Sequence, residues 1–198
     1  MRIINELFGI KILDNINNYL SPNPHKLELI WKYDDYKPKL KIYGDKDSKS
    51  RLINFHAGKK PMKFIKKNTF RGLFVHINDN PQIIRIEASN EFSFKPSSLG
   101  LNASKYKDPL DKHICKHFDL DIKNFETKLY NDDIDQSQYL VSTKYKFKID
   151  NIPMVLSTNL EEYSGLGEGK IHFLLSTEKA WSNWYKEIAG YVEMNEFD

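Results

Sequence analysis

From Tyr139 to Ile149 the chain alternates. Tyr139, Val141, Thr143, Tyr145, Phe147 and Ile149 fall on one side, and Ser142, Lys144, Lys146 and Lys148 on the other. Extended backbone sends successive side chains to opposite faces, so this run specifies a strand with one apolar and one cationic face. Asp150-Asn151 is a turn pair, and Ile152 to Thr158 follows at once as the second arm of a hairpin. The glycine-rich stretch Gly165-Leu166-Gly167-Glu168-Gly169 then connects to a further strand at Lys170 to Leu175.

The first half repeats the pattern in shorter units. Leu27 to Tyr33, Pro38 to Tyr43, Arg51 to Phe55, Phe70 to Ile77 and Gln82 to Ala88 are rich in aromatic and β-branched residues. Turn-forming clusters at Asp34-Asp35, Gly44-Asp45 and Asn78-Asp79-Asn80-Pro81 separate them. Connections this short join antiparallel neighbours, since parallel strands need a long crossover.

Three segments change period. Ile4, Phe8, Ile12, Ile16 and Leu20 recur every fourth residue, which predicts an amphipathic N-terminal helix ended by Ser21-Pro22-Asn23-Pro24. Leu110, Ile114 and Phe118, then Ile122, Phe125 and Leu129, predict a middle helical segment, with Asp119 or Asp121 capping its second part. Ser176 or Thr177 caps a last helix whose apolar face holds Trp181, Trp184, Tyr185, Ile188, Tyr191 and Val192. The expected fold is therefore α+β: a largely antiparallel sheet of about seven to eight strands, with the N-terminal, middle and C-terminal helices packed on it. Residues 1–198 are read as a single domain.

Twelve Phe, eleven Tyr and three Trp are ample to fill a core, so neither a staple nor a metal is required for stability. Cys115 is the only cysteine, which excludes an intramolecular disulfide and favours a reducing compartment. Met1 to Leu20 lacks the apolar run of a signal peptide, and no stretch reaches the ~20 apolar residues of a membrane span. A cytoplasmic protein without membrane contact is expected.

Thirty Lys and Arg against 27 Asp and Glu leave a charge of +3, too even to imply a nucleic-acid partner by itself. One segment concentrates the cations: Lys59, Lys60, Lys63, Lys66, Lys67 and Arg71, interleaved with Phe64 and Phe70. Clustered cations release counterions from a phosphate backbone while rings stack on bases, although a solvated edge has the same composition. Lys144, Lys146 and Lys148 form a second cationic row, facing either an anionic partner or water.

His113 and His117 lie one helical turn apart, a spacing that places two imidazoles on one metal ion, with Asp121 as third ligand. Ile114 stands where the HExxH pattern has its glutamate, and two surface histidines flanking buried Ile114 and Phe118 are the simpler reading. Asp79 and Glu87 are the acidic pair best suited to a metal-dependent nuclease. Cys115, two residues from each histidine, does not face either. Gly165 to Lys170 runs into a strand, unlike a phosphate loop.

No complete catalytic constellation emerges, and no motif specifies a cofactor. The function expected is a non-catalytic intracellular binding protein that contacts an anionic partner, nucleic acid among the candidates, through the lysine-rich segment. The alternatives are a protein-interaction module, such as a toxin-neutralising or regulatory protein, and a metal-dependent hydrolase or nuclease.

Overall fold

The alternating run is strand β8, Gln138–Ile149, and its hairpin partner is β9, Ile152–Tyr163. Asp150 and Asn151 close the turn with φ of 47° and 66°, a left-handed pair that Asp and Asn tolerate and that matches the twist of a two-residue hairpin. The computed structural model describes residues 4–7, 9–20, 27–35, 39–45, 72–93, 111–112, 114–132, 138–163 and 168–194.

Around this hairpin the chain builds one nine-stranded antiparallel sheet. One meander runs through β3 (Glu28–Tyr33), β4 (Leu40–Asp45), β5 (Gly72–Ile77) and β6 (Ile83–Ser93). A second runs through β7 (Glu126–Asp132), β8, β9 and β10 (Glu168–Thr177). The two join where β6 pairs with β10, and β11 (Tyr191–Glu193) adds to the outer edge of β7. The remaining strands, β1 (Glu6–Leu7) and β2 (Ile10–Lys11), form a separate hairpin.

The protein is thus mostly β, and the expectation of a sheet dressed by three helices is overturned. The N-terminal stripe folds as the β1–β2 hairpin and a 3-10 turn at Ile16–Asn18. Gly9 and Leu13 take φ of 76° and 68°, which no helix accommodates. Ile4, Ile12 and Ile16 of that stripe are still buried, because a plug seated on a sheet hides them as well as a helix would. The plug is tied to the start of β6 by Leu13 N to Ile83 O (2.9 Å) and Ile83 N to Asp14 O (2.8 Å).

The middle segment is expected to form one helix and, after a break, a second short helix over Ile122, Phe125 and Leu129. Helical residues end at Phe118, a 3-10 turn covers Ile122–Asn124, and Glu126–Asp132 is strand β7. At the carboxy end lies the one extended helical run among the described residues, eleven residues long: helix α1, Glu178–Ser182, continued by a π-helical stretch at Asn183–Ile188. The Thr177 hydroxyl caps it, accepting from Ala180 N at 3.1 Å. Tyr191 and Val192, read as helical, lie in β11 instead; Gly190, at φ 73°, makes that turn away from the helix.

The sheet buries both faces. One packs Leu73, Val75, Ile86, Leu156 and Phe173 beneath the N-terminal plug and the helical residues near Ile114. The other packs Tyr130, Leu140, Val155 and Leu174 against Trp181, Tyr185 and Tyr191. No helix among the described residues is long and apolar enough to cross a membrane.

Candidate functional site

The face covered by α1 carries the unusual chemistry. Register places His76 opposite Arg85 across β5–β6, His172 opposite Asn159 across β10–β9, and Asn159 opposite Ser142 across β9–β8. Arg85 and Glu87 are two residues apart on β6 and therefore share this face. All are buried, so polar side chains occupy positions that a sheet normally gives to leucine and valine.

Toward β6 and β10 these groups form a closed ionic cluster. Arg85 donates to Glu87 Oε2 from Nε at 2.8 Å and from Nη2 at 2.5 Å, and Nη2 also donates to the Tyr185 hydroxyl at 3.1 Å. The guanidinium lies 4.9 Å from the Tyr185 ring centre and 5.5 Å from that of Trp184. His172 Nδ1 meets Glu87 Oε1 at 2.5 Å, and its Nε2 faces Glu161 Oε2 at 3.4 Å.

Burial alone would raise the carboxyl of Glu87, but Arg85 and His172 outweigh it and hold it well below the usual carboxylate range. Burial pulls His172 down, while Glu161 and Glu87 more than reverse this and lift it to about 9. His76 shows the opposite balance: burial, and then Arg85, push it down to about 3. At neutral pH the cluster holds Arg85 and His172 as cations against Glu87 and Glu161 as anions, with His76 neutral. Its charges cancel.

The other end of the same face opens into a groove of about 970 Å³ between β7–β9 and the α1 segment. Along one side runs a chain of ion pairs. Lys146 bridges Glu126 and Glu178 at 3.3 Å each, and Lys128 bridges Glu126, at 3.2 Å, and Glu193.

Lys144 stands outside that chain. It is only 6% exposed, lines the groove, and donates from Nζ to the Tyr130 hydroxyl at 2.6 Å. Its ammonium sits 3.4 Å from the Trp181 ring centre and 4.9 Å from that of Tyr130. No carboxylate among the described residues lies at ion-pair distance from it. Burial pushes its amine down to about 8, with Glu126 pulling the other way. Burial likewise pushes the Tyr130 phenol up to about 12. Tyr130 is therefore a neutral hydroxyl beside a cation held by two rings.

A further asymmetry runs across the whole face. Apart from His172 Nε2, which faces Glu161, the buried side-chain atoms without a hydrogen-bond partner among the described residues are Arg85 Nη1, Asn159 Nδ2 and Trp181 Nε1. Each is a donor. The Asn159 Oδ1 acceptor, by contrast, is used twice, by Ser142 at 2.6 Å and Ser157 at 2.8 Å. This layer has donors to spare and is short of acceptors.

Of the residues singled out in sequence, Lys59, Lys60, Lys63, Lys66, Lys67 and Arg71 lie outside the described residues, as does His113. His117 is exposed, edge-on to the Phe118 ring. Asp121 is exposed and caps the 3-10 turn by accepting from Lys123 N at 3.0 Å. Cys115 is buried, and its thiol is pushed up by burial and by Asp111. Asp79 is exposed in the β5–β6 turn, whereas Glu87 is committed to the ionic cluster. No group of three metal-ligating side chains gathers among the described residues.

The row Lys144, Lys146, Lys148 is split: the last two are exposed, and Lys144 is roofed by Trp181. Sequence reasoning missed the cluster and the groove floor. The signal present was His172 inside the apolar run Ile171 to Leu175, and Arg85 and Glu87 at the period-two spacing of one strand face. The chain matches no family profile, no curated protein and no solved structure.

Proposed function

We propose that this chain is a binding protein that takes an anionic ligand into the groove floored by Lys144. The observation that carries the reading is the uncompensated ammonium. A buried cation with no carboxylate at ion-pair distance is costly unless something neutralises it; Glu126, opposite it on β7, offsets that cost only in part, and the groove gives an anion access to Lys144. The spare donors on the same face, including the Trp181 indole N–H in the groove lining, ask for an acceptor as well.

The lining narrows the ligand. Lys128, Lys144, Lys146, Lys179 and Lys186 meet Glu126, Glu178, Glu187 and Glu193, so the groove is nearly balanced. A polyanion would press several phosphates against four carboxylates. A molecule with one anionic group, seated at Lys144 with its apolar part on Trp181, suits the balance. Its volume is that of a small-molecule site, which commonly spans about 300–1,000 Å³.

The lysine-rich segment Lys59 to Arg71 remains the candidate contact for nucleic acid, and a second partner there is compatible with the groove. The test is anisotropy with fluorescein-labelled benzoate derivatives for the groove and labelled single-stranded DNA for the segment, across a salt series. Lys144→Gln should weaken the carboxylate probe by about tenfold, one lost charged hydrogen bond. Reversing Lys63 and Lys66 to Glu should weaken DNA and leave the carboxylate untouched. Equal carboxylate binding by wild type and Lys144→Gln would remove the groove from the account.

A further inference from the structure

We infer that Lys144 is a carbonyl-reactive amine, and that the ligand class of the groove is an anionic aldehyde or ketone held as an imine on its Nζ. The inference rests on the groove reading above and adds a covalent step to it. Three features of the geometry carry it. The amine is buried at the floor of a groove open to small molecules. It has a hydroxyl at 2.6 Å to move protons, and no carboxylate among the described residues lies at ion-pair distance to lock it as a salt, Glu126 favouring its charge only from across the strand pair. It also lies against an indole face that stabilises a cation on that nitrogen, whether ammonium or iminium.

Burial supports the same reading, since an amine pushed to about 8 holds a usable unprotonated fraction near neutral pH. The neighbouring cations act together with it. Lys146, Lys186 and Lys128 all disfavour charge on Lys144, and Lys186, which has no ion-pair partner among the described residues, remains to receive the ligand's anionic group.

The step balances without an oxidant. Unprotonated Nζ adds to the carbonyl carbon, forming the C–N bond as the C=O π pair moves onto oxygen. The Tyr130 hydroxyl relays a proton from the nitrogen to that oxygen. The resulting hydroxyl takes a proton from solvent and leaves as water, breaking the C–O bond while the nitrogen lone pair closes C=N. The net change is one aldehyde and one ammonium giving one iminium and one water.

The experiment uses the full chain and pyridoxal 5′-phosphate as the probe, at less than one equivalent, followed by borohydride reduction and peptide mapping by mass spectrometry. Pyridoxine 5′-phosphate, which has an alcohol in place of the aldehyde, serves as competitor and as a non-covalent ligand. The expected result is a reduced adduct on Lys144, formed about tenfold or more faster than on exposed lysines. The competitor should suppress it.

Label spread over exposed lysines such as Lys146, Lys148 and Lys186, with Lys144 unmodified, overturns the inference. If Lys144 stays unmodified while pyridoxine 5′-phosphate binds both wild type and Lys144→Arg, the imine is refuted and the anion-binding groove survives. If Lys144 is unmodified and the competitor does not bind either, both readings fail.

Discussion

The two ends of the face beneath α1 bury cations in opposite ways. At the β6–β10 end, Arg85 and His172 are each matched to Glu87, with Glu161 completing the balance. At the β7–β8 end, Lys144 has a phenol and an indole but no carboxylate at ion-pair distance among the described residues. The same helix roofs both, through Tyr185 at one and Trp181 at the other. Burial depth therefore does not separate structural from functional cations here. What separates them is whether the fold itself supplies the opposite charge.

Removing one partner at each end should expose that difference most strongly. Glu87→Gln leaves Arg85 and His172 buried with a shared counter-ion gone, a change that typically costs about 3–5 kcal/mol. Lys144→Met removes an unpaired ammonium and keeps an unbranched stem against Trp181, so stability should stay within about 1 kcal/mol or rise. Urea unfolding of both variants measures this. If Lys144→Met cost as much as Glu87→Gln, the ammonium would be a structural element and the comparison would collapse.

Proton linkage sharpens the contrast, because the two ends respond to alkali with opposite sign. His172 is lifted to about 9 in the folded protein from an unfolded value of 6.5, so the folded state binds the extra proton. Its contribution is complete below pH 6.5 and is lost as pH rises through 9. Lys144 is depressed to about 8 from 10.5, so the unfolded state binds the extra proton, and stability recovers between those values. His76, depressed to about 3, adds an acid limb: stability falls as pH drops from 6.5 toward 3, because the unfolded state protonates first. Unfolding free energies measured from pH 4 to pH 10.5 should show Lys144→Met removing only the recovery above pH 8. A wild-type curve flat from pH 6.5 to 9 would deny His172 its two carboxylate partners.

The reading of the chain divides along the same physics. The β8 alternation is legible because period two has no helical counterpart, and its residues divide between two faces as the pattern predicts. The face expected to be wet nonetheless holds buried Ser142 and Lys144, because alternation reports which residues share a face and not what covers it. Strand β7 was hidden because Ile122, Phe125 and Leu129 repeat every three to four residues by accident; Ile122 and Leu129 are exposed in the fold. The N-terminal stripe misled in the reverse sense, since Ile4, Ile12 and Ile16 are core residues of a non-helical plug. The ionic cluster joins residues 85, 87, 161 and 172, whose adjacency depends on the β6–β10 pairing that no local pattern encodes.

Lys146 gives the smallest effect and sets the lower end of the scale. It follows Lys144 by two residues on the same strand face and bridges two carboxylates at 3.3 Å, so a count of ion pairs would rank it above its neighbour. Its side chain is 53% exposed, however, and water and salt screen both bridges. After that discount Lys146→Gln should cost about 0.5 kcal/mol or less, and the difference from wild type should vanish in 1 M salt. Glu126 and Glu178 would then be left facing each other and the groove. The same substitution should therefore weaken an anionic ligand at Lys144 by a few-fold at low salt, through added repulsion, while hardly moving the unfolding curve. A loss of stability comparable to that of Glu87→Gln would show that the rim chain is a buried network, and would place Lys144 at the edge of it.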